Sequence, residues 1–199
     1  MKAVITGDII NSRGTSTARW QRQLKRVLSL YGESPRDWEI YRGDSFQLVL
    51  NAKQALWAAI HAKAAIKQIV PLDIRMGIGL GKHSYKATKV TASTGSAFVN
   101  SGEAFDQLKK QALAISTGNI AVDEQFNLML SLASLTMDSW SDTVAKVILT
   151  MIENPTKNQV EIAAKLKKSQ SSISEALKRG GFDEIKQLIA YYEKNVATL

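Results

Sequence analysis

The chain has 199 residues, of which 45% are hydrophobic, and it carries 26 Lys and Arg against 18 Asp and Glu, a formal net charge of +8. It contains no cysteine and two histidines, which excludes disulfide scaffolds, thiolate metal sites, cysteine nucleophiles and histidine metal cages. The apolar content is that of one large or two small globular domains. A basic surface attracts phosphates, which favours nucleic acids or nucleotides as partners.

The location of the protein is predicted from its apolar segments. No apolar run reaches the ~20 residues that a membrane span requires. Asp8 comes too early in the chain for a signal peptide. We therefore expect a cytoplasmic protein that makes no membrane contact.

The first 80 residues have the pattern of six elements in the order strand, helix, strand, strand, helix, strand. The predicted elements are residues 2–7, 15–31, 37–42, 45–50, 53–69 and 72–80. Thr15 or Ser16 is expected to cap the first helix, and Gly43-Asp44 suits a tight turn between the second and third strands. This βαββαβ order predicts an α+β protein that begins with a ferredoxin-like domain.

The rest of the chain is predicted to be mainly helical. The elements that we expect are a loop over 81–93, a helix over 96–110, a short strand over 112–117, an apolar helix over 122–137, a helix over 141–153 capped by Ser141, and a last helix over 182–195. The last helix either covers the domain before it or pairs with a second copy. We divide the chain into a domain over 1–120, a connecting helix over 121–140 and an all-α domain over 141–199.

Residues 156–179 have the spacing of two short helices joined by a tight turn. Thr156 and Gln159 form a T-x-x-Q capping pattern, and Lys167 stands in the turn. The segment resembles the helix-turn-helix of bacterial transcription regulators, although that pattern usually has Gly at the position of Lys167. The alternative is a plain helical hairpin with one solvated face.

Small polar and basic residues on the second helix suit entry into the major groove of DNA. The candidate DNA-binding residues are Ser169, Gln170, Ser171, Ser172, Ser174, Lys178 and Arg179. One helix-turn-helix reads only a short half-site, so we expect a homodimer.

Two carboxylates stand at the ends of strands that the predicted fold places side by side. Asp8 follows the first strand and Asp44 lies in the hairpin, so the pair suits Mg²⁺ or Mn²⁺ with a bound nucleotide. For each acid alone, bonding to nearby turn amides is the alternative. The candidate metal ligands are Asp8, Ile9 and Asp44, and the candidate nucleotide-binding residues are Asn11, Ser12, Arg13 and Arg42.

Part of the chain resembles the palm domain of class III nucleotidyl cyclases and diguanylate cyclases. The resemblance is carried by three short segments, Asp8-Ile9, Gly43-Asp44 and Arg75-Met76-Gly77-Ile78. The resemblance implies metal-dependent chemistry on a nucleoside triphosphate, with Asn100 as the candidate catalytic residue. Ala104 stands where these enzymes have an Arg that stabilises charge on the phosphates, so the catalytic set is incomplete.

The combination of these features resembles the SatD-like family of bacterial proteins over nearly the whole chain. The resemblance is carried by the opening from Thr6 to Arg13, the Gly43-Asp44-x-Phe46-Gln47 hairpin and the C-terminal helix-turn-helix, with Ser45 where an acid is expected. Members of this family are described as regulators, so the resemblance implies no specific activity. From the helix-turn-helix and the two carboxylates, we expect a transcriptional regulator whose palm-like domain senses a nucleotide with Mg²⁺. The alternatives are a metal-dependent nucleotidyl transferase or cyclase, and an interaction module whose palm is a dimerisation scaffold.

Overall fold

The computed structural model describes residues 1–14, 16–108 and 111–199. This part of the chain is an α+β protein with a mixed five-stranded sheet and eight α-helices. The strands are β1 (Lys2–Ile10), β2 (Trp38–Tyr41), β3 (Ser45–Asn51), β4 (Asp73–Gly81) and β5 (Leu113–Ser116). The helices are α1 (Thr17–Leu28), α2 (Ala55–Lys67), α3 (Ser96–Asp106), α4 (Ile120–Met137), α5 (Asp142–Ile152), α6 (Gln159–Leu166), α7 (Gln170–Arg179) and α8 (Phe182–Val196). None of the helices within these residues has both the length and the apolar content that crossing a membrane requires.

The sheet has the order β2-β3-β1-β4-β5, with β1 at its centre. β1 is antiparallel to both β3 and β4, and β2 is antiparallel to β3. β5 lies parallel to β4 at the edge, which confirms the short strand expected over 112–117. The predicted βαββαβ order of the first six elements is also confirmed.

β1 is longer than the sequence pattern indicates. The Gly7-Asp8 pair was expected to end the strand, yet pairing continues to Ile10, which lies opposite Asp73 of β4. Asp8 itself lies opposite Ser45 on one side and Arg75 on the other. Because two neighbouring strands hold its backbone and Arg75 neutralises its charge, Asp8 is accommodated inside the strand.

Helices cover both faces of the sheet. Ile5 and Ile9 of β1 belong to the main apolar core, on the face that α2 covers. Alternate residues point to the other face, where Val4 packs near α3 and the Thr6 hydroxyl lies 2.9 Å from that of Ser101. Asp8 follows the same alternation, so its side chain lies on the α3 face.

The C-terminal helices pack directly onto the sheet domain. α5 packs on α2 and α7, while α8 packs on α4, α7 and the 3₁₀ turn over Ala52–Gln54. The Tyr192 hydroxyl of α8 donates a hydrogen bond to the Ala52 carbonyl at 2.6 Å. One buried apolar cluster therefore extends from β1 to α8.

Several helix ends differ from the sequence prediction. α1 covers Thr17–Leu28 rather than 15–31; Ser16 takes the N-cap position without a side-chain bond, and Thr15 lies outside the described residues. α2 begins at Ala55, after the 3₁₀ turn that the Asn51 side chain caps. α3 ends at Asp106, and the last two residues predicted for it, 109 and 110, also lie outside the described part.

The predicted cap of α6 is wrong, and the predicted cap of α5 is right. Asn158 rather than Thr156 caps α6, because its side chain accepts bonds from the Val160 and Glu161 amides while Glu161 accepts one from the Asn158 amide. The pattern T-x-x-Q was read two residues too early. Ser141 caps α5 through the Val144 amide, as expected.

Candidate functional site

Asp8 and Asp44 lie at the same end of the sheet, on neighbouring strands. Asp8 is in register with Ser45, the residue that follows Asp44. The Ile9 amide donates a hydrogen bond to the Asp44 carbonyl at 3.2 Å, which fastens the β2–β3 hairpin to β1. The structure therefore brings together the two segments that carry the candidate metal ligands.

The Asp8 carboxylate is held by Arg75 of β4 through two hydrogen bonds. Arg75 Nε donates to Oδ1 at 3.1 Å and Nη2 donates to Oδ2 at 2.6 Å. The guanidinium carbon lies 5.5 Å from the centre of the Phe105 ring of α3. The hydrogen bond with Asp8 raises the pKa of Arg75, so this side chain stays charged.

Asp44 is held by a different donor. The Ser12 hydroxyl donates to Asp44 Oδ2 at 2.6 Å, which links the loop after β1 to the hairpin. Arg42 and Gly43 adopt left-handed backbone conformations with φ of 49° and 90°, and these positive angles turn the chain sharply ahead of Asp44. Ser12 and Asp44 therefore form a side-chain hydrogen bond in which both residues are half-buried.

The other candidate nucleotide-binding residues surround this contact without entering it. Asn11 has a φ of 61°, and its side chain donates to the Pro71 carbonyl at 3.1 Å, at the entrance to β4. Arg13 and Arg42 are exposed on the loop and the hairpin. Both arginines lie on segments that flank Asp44.

Asn100 is not brought to the carboxylates. Its side chain donates to the Leu80 carbonyl at 2.7 Å, near the far end of β4. Leu80 is five residues from Arg75, which places Asn100 roughly 16 Å along the strand from the Asp8–Arg75 pair. Lys82 and His83 follow β4 at that far end as well.

The oxygens of Asp8 and Asp44 that a divalent cation would need already have hydrogen-bond partners. Such an ion needs carboxylate oxygens that face it together. Both oxygens of Asp8 already accept hydrogen bonds from Arg75, and Oδ2 of Asp44 accepts one from Ser12. In this arrangement Asp8 fits a guanidinium rather than a metal ion, and it could take a cation only after Arg75 releases it.

The second candidate site is formed by α6, α7 and the turn between them. Lys167 adopts the left-handed conformation in this turn, with φ 53° and ψ 47°. Ile162 and Ala163 of α6 and Ile173 of α7 are buried between the helices and α5. A non-glycine residue therefore makes the left-handed turn, as the sequence pattern required.

The polar face of α7 is exposed. Every candidate DNA-binding residue is exposed: Ser169, Gln170, Ser171, Ser172, Ser174, Lys178 and Arg179. Ser169 has a structural task, because its hydroxyl caps α7 by accepting a bond from the Ser172 amide. Glu175 lies on the same exposed face and was missed, although the helical spacing from Ser171 places it there.

The family is settled by comparison with known proteins. A family model described as the SatD family matches residues 2–195. The chain belongs to the SatD family. No curated protein and no solved structure matches it significantly.

In this SatD-family chain, sequence reasoning also missed a buried polar cluster between α1, α2 and α5. His61 is 3% exposed; its Nδ1 lies 3.0 Å from the Tyr31 hydroxyl and its Nε2 lies 3.3 Å from Glu153 Oε1. Arg26 forms an ion pair with the same Glu153 oxygen at 2.6 Å. Burial is the main cause that lowers the pKa of His61 and that raises the pKa of Tyr31.

A second missed cluster ties α2 to β4 and to the end of α4 of the SatD-family chain. Lys63, which is 1% exposed, forms ion pairs with Asp73 at 2.9 Å and Asp138 at 2.7 Å. Lys67 forms an ion pair with Asp73 at 3.1 Å and donates to the Asp138 carbonyl at 2.7 Å. From the sequence alone, a lysine in an Ala-rich helix is expected to be solvated. The partners of Lys63 become visible only in the tertiary structure.

Proposed function

We propose that this SatD-family protein is a DNA-binding transcriptional regulator with a palm-like N-terminal domain that senses a nucleotide together with Mg²⁺ or Mn²⁺. The observation that carries the proposal is the α6–α7 unit, in which Lys167 makes a left-handed turn and α7 exposes a polar face. The antiparallel order β2-β3-β1-β4 is that of a ferredoxin-like domain and supports the palm.

DNA would be read by the first turns of α7. Gln170 has the donor and acceptor that recognise adenine in the major groove, while Lys178 and Arg179 at the other end of α7 suit phosphates. Glu175, in the middle of the exposed face, suits the amino group of cytosine. A homodimer would place two such helices on successive half-sites.

The arrangement at Asp8 favours sensing over catalysis. The Arg75 guanidinium occupies both oxygens of Asp8, and Asn100 lies at the far end of β4. A nucleotide phosphate that attracts Arg75, Arg13 or Arg42 would free Asp8, which gives the domain two states with different ligand affinity. α2, which lies under the sheet, packs on α5 and provides a path from this site to α7.

DNA binding is tested by selecting duplexes from a random pool and measuring fluorescence anisotropy at several salt concentrations. Gln170→Ala should weaken binding to the selected duplex by ~10–100-fold and leave random duplexes unaffected. Lys178→Ala should weaken binding to the selected and to the random duplexes alike. It should also reduce the slope of the logarithm of the binding constant against the logarithm of salt concentration by about 1. Lys194→Ala removes the same charge from the exposed face of α8 and serves as the control. If no duplex is enriched, or if Lys194→Ala acts like Lys178→Ala, the proposal fails.

Nucleotide sensing is tested by thermal unfolding with each nucleoside triphosphate and cyclic nucleotide, with Mg²⁺ or Mn²⁺. A ligand at 100 times its Kd adds ~2.7 kcal/mol, which should raise the Tm by several degrees. The rise should disappear in Asp44→Asn, and chromatography should show the nucleotide unchanged. Formation of a product would support the enzyme alternative, and the absence of any shift would leave the palm as a scaffold.

A further inference from the structure

α4 exposes an apolar stripe on its surface. Leu128, Leu132 and Leu135 are 64%, 60% and 75% exposed, while Phe126 and Leu130 on the opposite side of the helix are buried. The three leucines follow the spacing i, i+4, i+7, which is the spacing of a helix–helix seam. A contiguous exposed patch of this kind is typical of an interaction surface.

A groove lies beside this leucine stripe. It has a volume of about 740 Å³ and runs between α4 and α8. Leu132 and Met129 of α4 and Leu188 and Tyr191 of α8 line its walls. The stripe is thus a ridge with an apolar groove along one side, and a partner helix with the same surface could fit both.

The charges along α4 indicate which partner fits. Glu124 lies one turn before Leu128 on the same side of the helix and is exposed. At the other end, Lys178 and Arg179 line the groove together with Thr136, although Glu184 also lies there. The surface is therefore acidic at one end and has an excess of basic groups at the other, which makes it complementary to itself when turned by 180°.

We infer that the leucine stripe and its groove bind a second copy of this chain, with the two α4 helices antiparallel about a two-fold axis near Ser131 and Leu132. In this pairing Leu128 meets the partner's Leu135, and each Glu124 lies toward the partner's basic end. A parallel pairing would place like charges together. A two-fold axis uses the same patch on both copies, which a self-complementary surface satisfies.

The size of the surface suits such a dimer. α4 has 18 residues, which gives a length of about 27 Å at 1.5 Å per residue. A stable interface covers ~800 Å² on each partner, more than three leucines supply. The groove walls on α8 provide the additional apolar area, so the interface uses two helices from each copy.

This inference deepens the proposed function by locating the dimer that reading two half-sites requires. It is tested without DNA and with Lys178 and Arg179 unchanged, because these two residues line the groove and are also proposed to meet phosphates, so the two proposals can fail separately. Gln170→Ala is expected to leave the dimer intact. Disruption of the dimer is expected to weaken binding to the selected duplex, while the fold and the response to nucleotide remain unchanged.

The first test is sedimentation equilibrium of the full chain over a range of concentrations. The wild type should sediment as a dimer, and Leu128→Glu/Leu135→Glu should raise the dimer Kd by at least ~100-fold. Because both leucines are exposed, circular dichroism should show the variant folded. Val99→Glu changes an exposed apolar residue on α3, which is 60% exposed like Leu132, and should remain dimeric. A monomeric wild type, or a dimer that the leucine variant leaves unchanged, would overturn the inference.

The second test uses the absence of cysteine from the chain. Under mild oxidation, Leu132→Cys should form a disulfide-linked dimer, because a residue beside the two-fold axis meets its own copy. Leu128→Cys should remain unlinked, because its counterpart lies nearly two helical turns away. The mixture of Leu128→Cys with Leu135→Cys should cross-link. Linking of Leu128→Cys to itself would indicate a parallel pairing and contradict the model of the interface.

Discussion

The contact between Asp8 and Arg75 joins the two strands that flank the candidate site, and its strength can be measured. Two charged hydrogen bonds hold it, although the side chains are 22% and 38% exposed. Water weakens such partly exposed pairs, so we expect a coupling free energy of ~1 kcal/mol. Urea unfolding of Asp8→Asn, Arg75→Gln and the double variant gives this value. Strictly additive changes in the free energy of unfolding would show that the pair is uncoupled.

His61 should make stability depend on pH. Burial, supported by the charge of Arg26, lowers its pKa below the ordinary 6.5, while the hydrogen bond and charge of Glu153 act in the opposite direction. The unfolded chain therefore binds the proton more readily than the folded chain. Neutral His61 should therefore contribute its full stabilisation above pH 6.5. This contribution to the free energy of unfolding should decrease as the pH falls from 6.5 toward the folded pKa.

This dependence is measured in a His83→Gln background, because burial and the charge of Lys86 also lower the pKa of His83. In that background, His61→Gln should reduce the loss of the free energy of unfolding between pH 7 and pH values below 6.5. An unchanged slope would mean that His61 does not differ in proton affinity between the folded and unfolded chain.

The start of α6 is set by Asn158, and replacement of this cap should affect the whole α6–α7 unit. Asn158→Ala removes the acceptor for two backbone amides and should cost about 1 kcal/mol of stability. Thr156→Ala should change stability by less than ~0.5 kcal/mol, since Thr156 is exposed outside the helix. The two variants are compared by chemical denaturation; equal losses would contradict the capping geometry.

The packing of α3 on β4 depends on two glycines. A methyl group on Gly79 would collide with the backbone of Ser101 and Ala97, and one on Gly77 would collide with Phe105. Gly79→Ala should therefore lower the free energy of unfolding by at least ~2 kcal/mol. Gly102→Ala on α3 meets no atom within 4 Å and should raise it by ~0.5–1 kcal/mol. Thermal unfolding distinguishes them; similar Tm values would contradict this close approach.

The sequence predicted the order of these elements because their apolar periodicities are strong. A run of β-branched residues located β1, a run of alanines located α2, and an apolar run after the Ser141 cap located α5. Element ends were predicted less well, since they depend on tertiary contacts. β1 continues through Asp8 because two strands pair with it. The cap of α6 lies two residues after the expected one because Asn158 and Glu161 form a reciprocal pair.

The candidate site was predictable only in part, for the same reason. The topology of a βαββαβ fold places Asp8 and Asp44 at one end of the sheet, and the residue spacing suffices to predict this. The partner of Asp8 depends on the register between β1 and β4, which the sequence does not specify, so Arg75 was missed as its ligand. The distance of Asn100 from the site depends on where α3 lies along β4.

The molecule as a whole has a core that continues from the sheet into the C-terminal helices. α5 packs on α2, and Tyr192 of α8 bonds to Ala52. The two buried polar clusters, around His61 and Lys63, also bridge α2 to later elements. The contacts of α5 and α8 with α2 and the 3₁₀ turn cross the boundary predicted between residues 120 and 140, so one core extends over both sides of it.

Contacts of this extent should make the chain unfold in one cooperative transition. Trp20 lies in the core under the sheet, whereas Trp140 lies beside α7, where its Nε1 donates to the Gly180 carbonyl at 2.9 Å. Variants that retain only Trp20 or only Trp140, with Phe at the other positions, report on the two regions separately. In each variant, the urea midpoint from fluorescence should coincide with that from far-UV circular dichroism. If Trp140 reported an earlier transition than Trp20, the region around α5 and α7 would unfold on its own, and the coupling proposed between the N-terminal domain and α7 would need a different route.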